Sequence, residues 1–282
     1  RESRLVLVAA GISADAIHHK GWWWLVVSDH DLENAAGELD DYRQENADRS
    51  NDRPVAIPLY GGAAVGVLVY TLTITLVALL SAASVFDIQW SPAGRMQAAQ
   101  VTAGQWWRTI TALTLHVDLP HLVSNLVFGS VFGLLAGRIL GGGVAWLAIV
   151  IAGALGNYIN ALVQSPDHSS IGASTAVFGA LGVMVAHALR PRTSKQEKLL
   201  RRWSPLIGGV VLLAMTGVGG ERTDVAAHVT GFLAGLLIGW FGCRLPDRWL
   251  ANRAVQSAAA MVTFTMIGVA WAIALSVARG SS

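Results

Sequence analysis

Three groups of polar residues interrupt long apolar stretches, and their side chains are of the kinds that acyl transfer needs. The first is Gly172-Ala173-Ser174-Thr175, which opens one apolar run. The second is Ala227-His228, inside another. The third is His121 with Asn125, four residues apart and so on one face of a helix. A hydroxyl is a weak nucleophile that needs a base, and an imidazole can supply one. His and Asn side chains can donate to a developing oxyanion, joined by the Ser174 N–H at a helix N-terminus. Each group also has a plainer reading. Ser174 could cap a helix. His228 could be a satisfied core histidine or a proton relay. His121 and Asn125 could bond helix to helix, and two ligands without a carboxylate make a poor metal site. Polar side chains at membrane depth are costly, however, and three such groups at one depth are hard to obtain by accident.

The elements that carry these groups have small-residue sides. Gly172, Ala176, Gly179 and Gly182 recur near Ser174, while Ala227, Gly231 and Gly235 follow at intervals of four around His228. Two such helices can approach closely enough for an Oγ–imidazole hydrogen bond, which bulky stripes would prevent.

Composition fixes the medium. Of 282 residues, 53% are hydrophobic and 13% charged, against about 25% charged in a soluble domain. The chain therefore reads as an all-α polytopic membrane protein. Seven apolar segments are expected near 60–84, 121–140, 143–163, 172–190, 205–218, 225–243 and 255–277. Several fall short of the roughly 20 residues that cross the hydrocarbon core. Lys and Arg collect at Arg190–Arg202 and at Arg244, Arg248 and Arg253, which places those loops and the N-terminus in the cytoplasm and the C-terminus outside. The 85–120 stretch, with Trp90, Trp106, Trp107 and Arg108, is then an outer interfacial loop. The net charge of +2 gives no reason for a nucleic-acid partner. The single cysteine, Cys243, excludes an internal disulfide or a Cys-cluster metal site and reads as a buried bystander. No metal or organic cofactor is implied.

Residues 1–53 differ in kind. Arg4–Ala10 and Trp22–Val27 read as strands, Ser13–Lys20 as a short helix, and Asp29–Glu45 as an acidic helix with Leu32, Ala35, Ala36, Leu39 and Tyr42 at helical spacing. This is a small soluble β-α-β-α cytoplasmic module, too short to bury much core, which would lean on a partner or on the membrane surface. A signal peptide is not expected, because polar sequence follows the LVLVAAGI run. A polar linker, 46–54, separates the module from a six-span region over 54–243, and 244–282 adds a cytoplasmic loop and a seventh span.

Together these motifs resemble the rhomboid family of intramembrane serine proteases. The resemblance runs from about Gly104 to Phe241. It rests on Trp107-Arg108, His116, His121-x-x-x-Asn125, Gly172-x-Ser174 and Ala227-His228-x-x-Gly231-x-x-x-Gly235. It implies a six-helix core plus a seventh C-terminal helix, with Ser174 as nucleophile and His228 as general base of a catalytic dyad. His121, Asn125 and the Ser174 amide would line the oxyanion hole. Phe178 would pack on the histidine, and Trp107 and Arg108 would anchor the first loop. Expected partners are single-span transmembrane substrates within a bilayer, the bacterial inner membrane being the expected location. Thr175 departs from the family pattern, standing where glycine usually follows the serine, which would narrow or slow the site; Gly137 and Arg138 also stand where relatives often carry an acidic residue, a matter of packing at the cytoplasmic end. A catalytically silent helix-binding relative and a transporter or channel are the rival readings. Asp224, four before His228, could orient the imidazole or cap its helix.

Overall fold

The structure is a computed structural model that describes residues 2–51, 58–189, 204, 206–211 and 224–280, which fall into two compact units. The smaller, N-terminal unit runs α1 (Glu2–Ala9), β1 (Asp15–His19), β2 (Trp22–Val26) and α2 (Leu32–Asn51). This corrects the β-α-β-α order expected from sequence: the first apolar run is a helix and Ser13–Lys20 supplies a strand. Gly11 causes the first change. With φ +79° it ends α1 in a Schellman motif, Ile12 N–H bonding the Leu7 carbonyl and Gly11 N–H that of Val8. Lys20 and Gly21 cause the second. Both have positive φ, 50° and 83°, and join the facing pair His19 and Trp22 in a two-residue hairpin. Leu7, Ile12, Ala14 and Ala35 form the small core of the unit, with Leu25, Val27 and Leu39 packed on it.

The larger unit contains α3 (Ala63–Ala82), three short turns α4 (Trp90–Gly94), α5 (Ala98–Thr102) and α6 (Arg108–Thr111), then α7 (Leu119–Leu140), α8 (Gly142–Val163), α9 (Ser174–Ala188), α10 (Val225–Gly242), the short α11 (Asp247–Leu250) and α12 (Arg253–Gly280). Five of these, α3, α7, α8, α10 and α12, are long and apolar enough to cross a membrane. The expected segment 205–218 lies outside the described residues except for 206–211, which are helical. The basic loop 190–202 lies outside them too, apart from its neighbours. Helix α9 has 15 residues, hence a length of about 22 Å against a hydrocarbon core of roughly 30 Å.

Glycines decide how the helices meet. A Cβ at Gly235 would come within 2.8 Å of Gly179 Cα, and one at Gly239 within 2.7 Å of Val183 Cα. Helices α9 and α10 thus touch backbone to backbone, the close approach that the small residues permit. Buried Phe132, Leu140, Phe178, Leu181 and Phe232 fill the space around this pair. The C-terminal helix is bound into the unit by side chains that satisfy exposed backbone. Gln256 Nε2 donates to the Leu140 and Leu250 carbonyls, and its Oε1 accepts from Val144 N–H at the α7–α8 turn. At the opposite end, Trp271 Nε1 donates to Thr114 Oγ1 at 3.0 Å and its ring lies against Trp90.

Candidate active site

The loops over 83–118 and 164–173 gather at one end of the larger unit. Buried Arg108 organises the first of them. Its Nη1 donates to the carbonyls of Pro92 (3.0 Å) and Arg95 (2.9 Å), and its Nε donates to Gln105 Oε1. Five donors in a rigid fork suit such bridging, which a lysine could not reproduce. Trp107 packs beside Trp90, Leu115 and Trp271. A two-residue ribbon, β3 (Met96–Gln97) with β4 (Ser169–Ser170), ties this loop to the segment that leads into α9.

Beneath these loops lies a cleft of about 990 Å³, and Ser174, His228, His121 and Asn125 all line it. His116, Phe178, Arg95, Ser169, Ser170 and Asp224 complete much of its wall. The residues singled out from three distant stretches of sequence therefore converge on one cavity, with no helix between those that carry Ser174 and His228.

Each position has a local cause. Asp118 caps α7, its carboxylate accepting the His121 N–H at 2.8 Å, and Pro120 occupies the first turn where its missing N–H costs nothing. His121 reaches across to Gly172, whose φ of +136° and missing side chain are both required. A Cβ there would lie 2.6 Å from His121 Cε1 and Nε2, and 3.7 Å from Ser174 Oγ. The imidazole edge and the serine hydroxyl thus meet over the bare face of one glycine. Asn125 is buried, and its Nδ2 donates back to the His121 carbonyl at 2.9 Å. An amide nitrogen carries two hydrogens, so one donor remains. Tyr70 of α3 fixes the same turn from behind by donating to the Asn125 carbonyl at 2.7 Å. His116 packs edge-on against His121, with centroids 5.2 Å apart. Burial, and secondarily His121, push the His116 pKa down to about 4, so it is neutral at physiological pH.

His228 is buried on α10, and the Phe178 ring lies 4.4 Å from it. Gly231, one turn later, abuts Thr175. A Cβ at Gly231 would fall 2.9 Å from Thr175 Cγ2, and one at Gly156 of α8 would fall 2.8 Å from the same methyl. Thr175 is 2% exposed and its methyl fills the junction of α8, α9 and α10. It is not among the residues that line the cleft. The expected narrowing by a β-branched side chain is thus directed into helix packing, which bare Gly156 and Gly231 accommodate.

Asp224 caps α10, one oxygen accepting from Ala227 N–H at 3.0 Å. The other is shared by Asn160 Nδ2 and His168 Nε2, each at 2.8 Å. Sequence reasoning did not find His168, nor Tyr70, Arg95 and the Ser169–Ser170 ribbon. A loop histidine that meets a cap 56 residues away leaves no local signal. Asn160 and Asn157 of α8 join neighbouring elements by bonding Asp224 and the Thr109 carbonyl. Burial pushes the Asp224 carboxyl up, but the Ala227 N–H, His168 and Asn160 outweigh it and hold the pKa below the ordinary 3.8. A depressed folded pKa gives stability that is complete above the ordinary value and fades as pH falls through the folded one. Asp224→Asn therefore lowers the unfolding free energy by about 1 kcal/mol at neutral pH. The gap from wild type narrows below pH 3.8. Thermal unfolding of both proteins in the same detergent, from pH 7 to pH 3, checks this.

Among the described residues no group of three or more His, Cys, Asp or Glu side chains could hold a metal ion. Cys243 is buried, its Sγ 3.4 Å from His187 Nδ1 at the far end of α9.

The Rhomboid domain family matches residues 103–245. The chain is 34% identical over 134 residues to Rhomboid-like protease 3 of Toxoplasma gondii, covering 48% of this chain and 51% of that protein. It is 28% identical over 148 residues to RHOMBOID-like protein 5 of Arabidopsis thaliana, covering 52% and 47%. Against Rhomboid protease GluP of Bacillus subtilis it is 30% identical over 143 residues, covering 50% and 27%. The chain thus spans about half or less of the length of these relatives. With the matched region enclosing Trp107-Arg108, the α7 His–Asn pair, Ser174 and His228, the chain belongs to the rhomboid family.

Proposed function

We propose that the protein is an intramembrane serine endopeptidase that cleaves transmembrane segments through a Ser174–His228 dyad. The observation that carries this reading is the shared cleft: hydroxyl, imidazole and two amide- or imidazole-type donors line one cavity at the buried start of a short helix. Ser174 Oγ attacks the scissile carbonyl carbon as His228 takes its proton. The oxyanion then forms beside the His121 edge over Gly172, where Asn125 and the Ser174 N–H can also donate. His228 returns the proton to the leaving amine, and the C–N bond breaks to leave an acyl-serine. Water that enters from the loop end repeats the sequence and frees the enzyme.

The chemistry sets what the substrate must do. A carbonyl inside an intact helix is shielded, so a substrate helix has to unwind locally, and helix-breaking residues lower that cost. Residues 212–223, which include Gly217, Gly219 and Gly220, lie outside the described residues. On this reading the loop end faces away from the cytoplasm. Arg244, Arg248 and Arg253 follow α10 at the opposite end, which the positive-inside rule assigns to the cytoplasm. The family likeness to named proteases supports hydrolysis over transport. A silent helix-binding role loses its main argument with Thr175 turned into helix packing.

Purified protein in lipid, offered a fluorophosphonate probe and a panel of single-span substrates, tests the proposal. Labelling and cleavage are both expected, and both are expected to vanish in Ser174→Ala. Cleavage that survives Ser174→Ala, or intact substrate with no labelling of wild type, refutes it.

A further inference from the structure

The two-stranded sheet of the N-terminal unit is apolar on both faces; one is covered only around Leu25 and Val27, and the other is uncovered along its length. Leu25 and Val27 point to the core under α1 and α2. Alternation and register put Ile17, His19, Trp22, Trp24 and Val26 on the other face. There Trp22 is 71% exposed, Trp24 59%, Ile17 50% and Val26 48%, while Trp23, 73% exposed, lies on the opposite face near the turn, beyond the part that Leu25 buries. Sheets of two strands are marginal alone, and an uncovered face with two tryptophans calls for a second layer.

Charge and connectivity select that layer. The carboxylates of α2, Glu33, Glu38, Asp40, Asp41 and Glu45, belong to the helical layer across the sheet. The uncovered face has one, Asp15, at its far end beside Arg4 at 3.6 Å. Beside Trp22 and Trp24 stand His19, which faces Trp22, and Lys20 in the turn instead. Aromatic rings edged by a lysine suit the headgroup boundary of a bilayer, where tryptophan is enriched and lysine meets anionic lipid. Only residues 52–62 separate α2 from the membrane-crossing α3, a linker that reaches at most about 40 Å, so the unit is tethered to the bilayer that α3 crosses. Such a tether raises the effective concentration of lipid far above that of any diffusing partner.

We propose that this face seats in the interfacial layer of the bilayer, with the acidic helix α2 turned to water. The inference rests on the membrane character of the larger unit and not on its chemistry, so it stands or falls separately from the protease reading.

The test uses the full chain with Cys243→Ser and one new cysteine carrying an NBD fluorophore. The chains are reconstituted singly into nanodiscs of phosphatidylethanolamine and phosphatidylglycerol. Trp24→Cys and Ile17→Cys report on the face, and Glu38→Cys reports on α2. Doxyl-labelled lipid is expected to quench NBD at 24 and 17 at least twofold more than at 38, with iodide giving the reverse order. Two sites guard against one substitution spoiling the hairpin. Iodide quenching at 24 and 17 equal to that at 38 would overturn the proposal. So would shielding of both sites from lipid and iodide alike, which would mean that protein covers the face.

Discussion

Ser174→Ala and His228→Ala are each expected to slow substrate cleavage by about 10³-fold or more, and the double variant to lose no more than the worse single one. Nucleophile and base act as a unit, so removing either leaves the other without a task, and the losses do not add. What survives comes from binding and from the oxyanion donors, which should leave a residue of catalysis when the dyad is gone. Asp224→Asn separates a dyad from a triad. In a Ser-His-Asp triad the equivalent change costs about 10⁴-fold, because the acid fixes the imidazole tautomer. Here both Asp224 oxygens are engaged by Ala227 N–H, Asn160 and His168, while His228 leans on the Phe178 ring. The expected loss for Asp224→Asn is therefore under about tenfold, in line with its smaller effect on stability. Cleavage of one single-span substrate in lipid by the four variants and wild type, at matched folded fraction, checks this. Additive losses in the double variant, or a triad-sized loss in Asp224→Asn, would require another assignment of base and orienting group.

These expectations could be framed early because the membrane helices are strongly determined by composition. A run such as Ala63–Ala82 has few alternatives in lipid, since backbone groups there must bond within the segment. Small residues likewise announced the close approach of α9 and α10, although the register differs in detail. Thr175, Gly179 and Gly182 face α10, while Ala176 packs on Gly153 of α8. The short N-terminal elements were less legible. The run RLVLVAA suits either a strand or a helix, and Gly11 and the Lys20-Gly21 pair were the deciding signals. Contacts made between loops left no trace in the sequence. The bond of His168 to Asp224 and that of Tyr70 to the Asn125 carbonyl depend on the assembled fold. Gly172 lies between these cases. Its type was conspicuous, but its reason is the His121 ring that rests where a side chain would be.

Gly231→Val should cost about 2–3 kcal/mol of stability and abolish most activity in the fraction that still folds. The reason lies in the junction described above. A side chain at Gly231 meets the Thr175 carbonyl as well as its methyl, 2.9 Å away. A methyl can rotate aside, but a backbone carbonyl inside α9 cannot, so the helices must separate; overpacking of this kind typically costs 1–3 kcal/mol. His228 lies one turn before Gly231 on the same helix, and Ser174 directly precedes Thr175. Any separation at this contact is therefore imposed on the reacting pair, and a displacement of about 1 Å can cost 10²-fold in rate. Gly268→Val on α12 is the control, since nothing lies within 4 Å of a Cβ there. It should change stability by less than about 0.5 kcal/mol. Thermal unfolding in detergent, paired with cleavage rates normalised to folded protein, distinguishes the two. An active, stable Gly231→Val would mean that α9 and α10 do not need this contact to present serine and histidine to one another. The glycine spacing would then describe helix packing alone, and the link from small residues to chemistry would be lost.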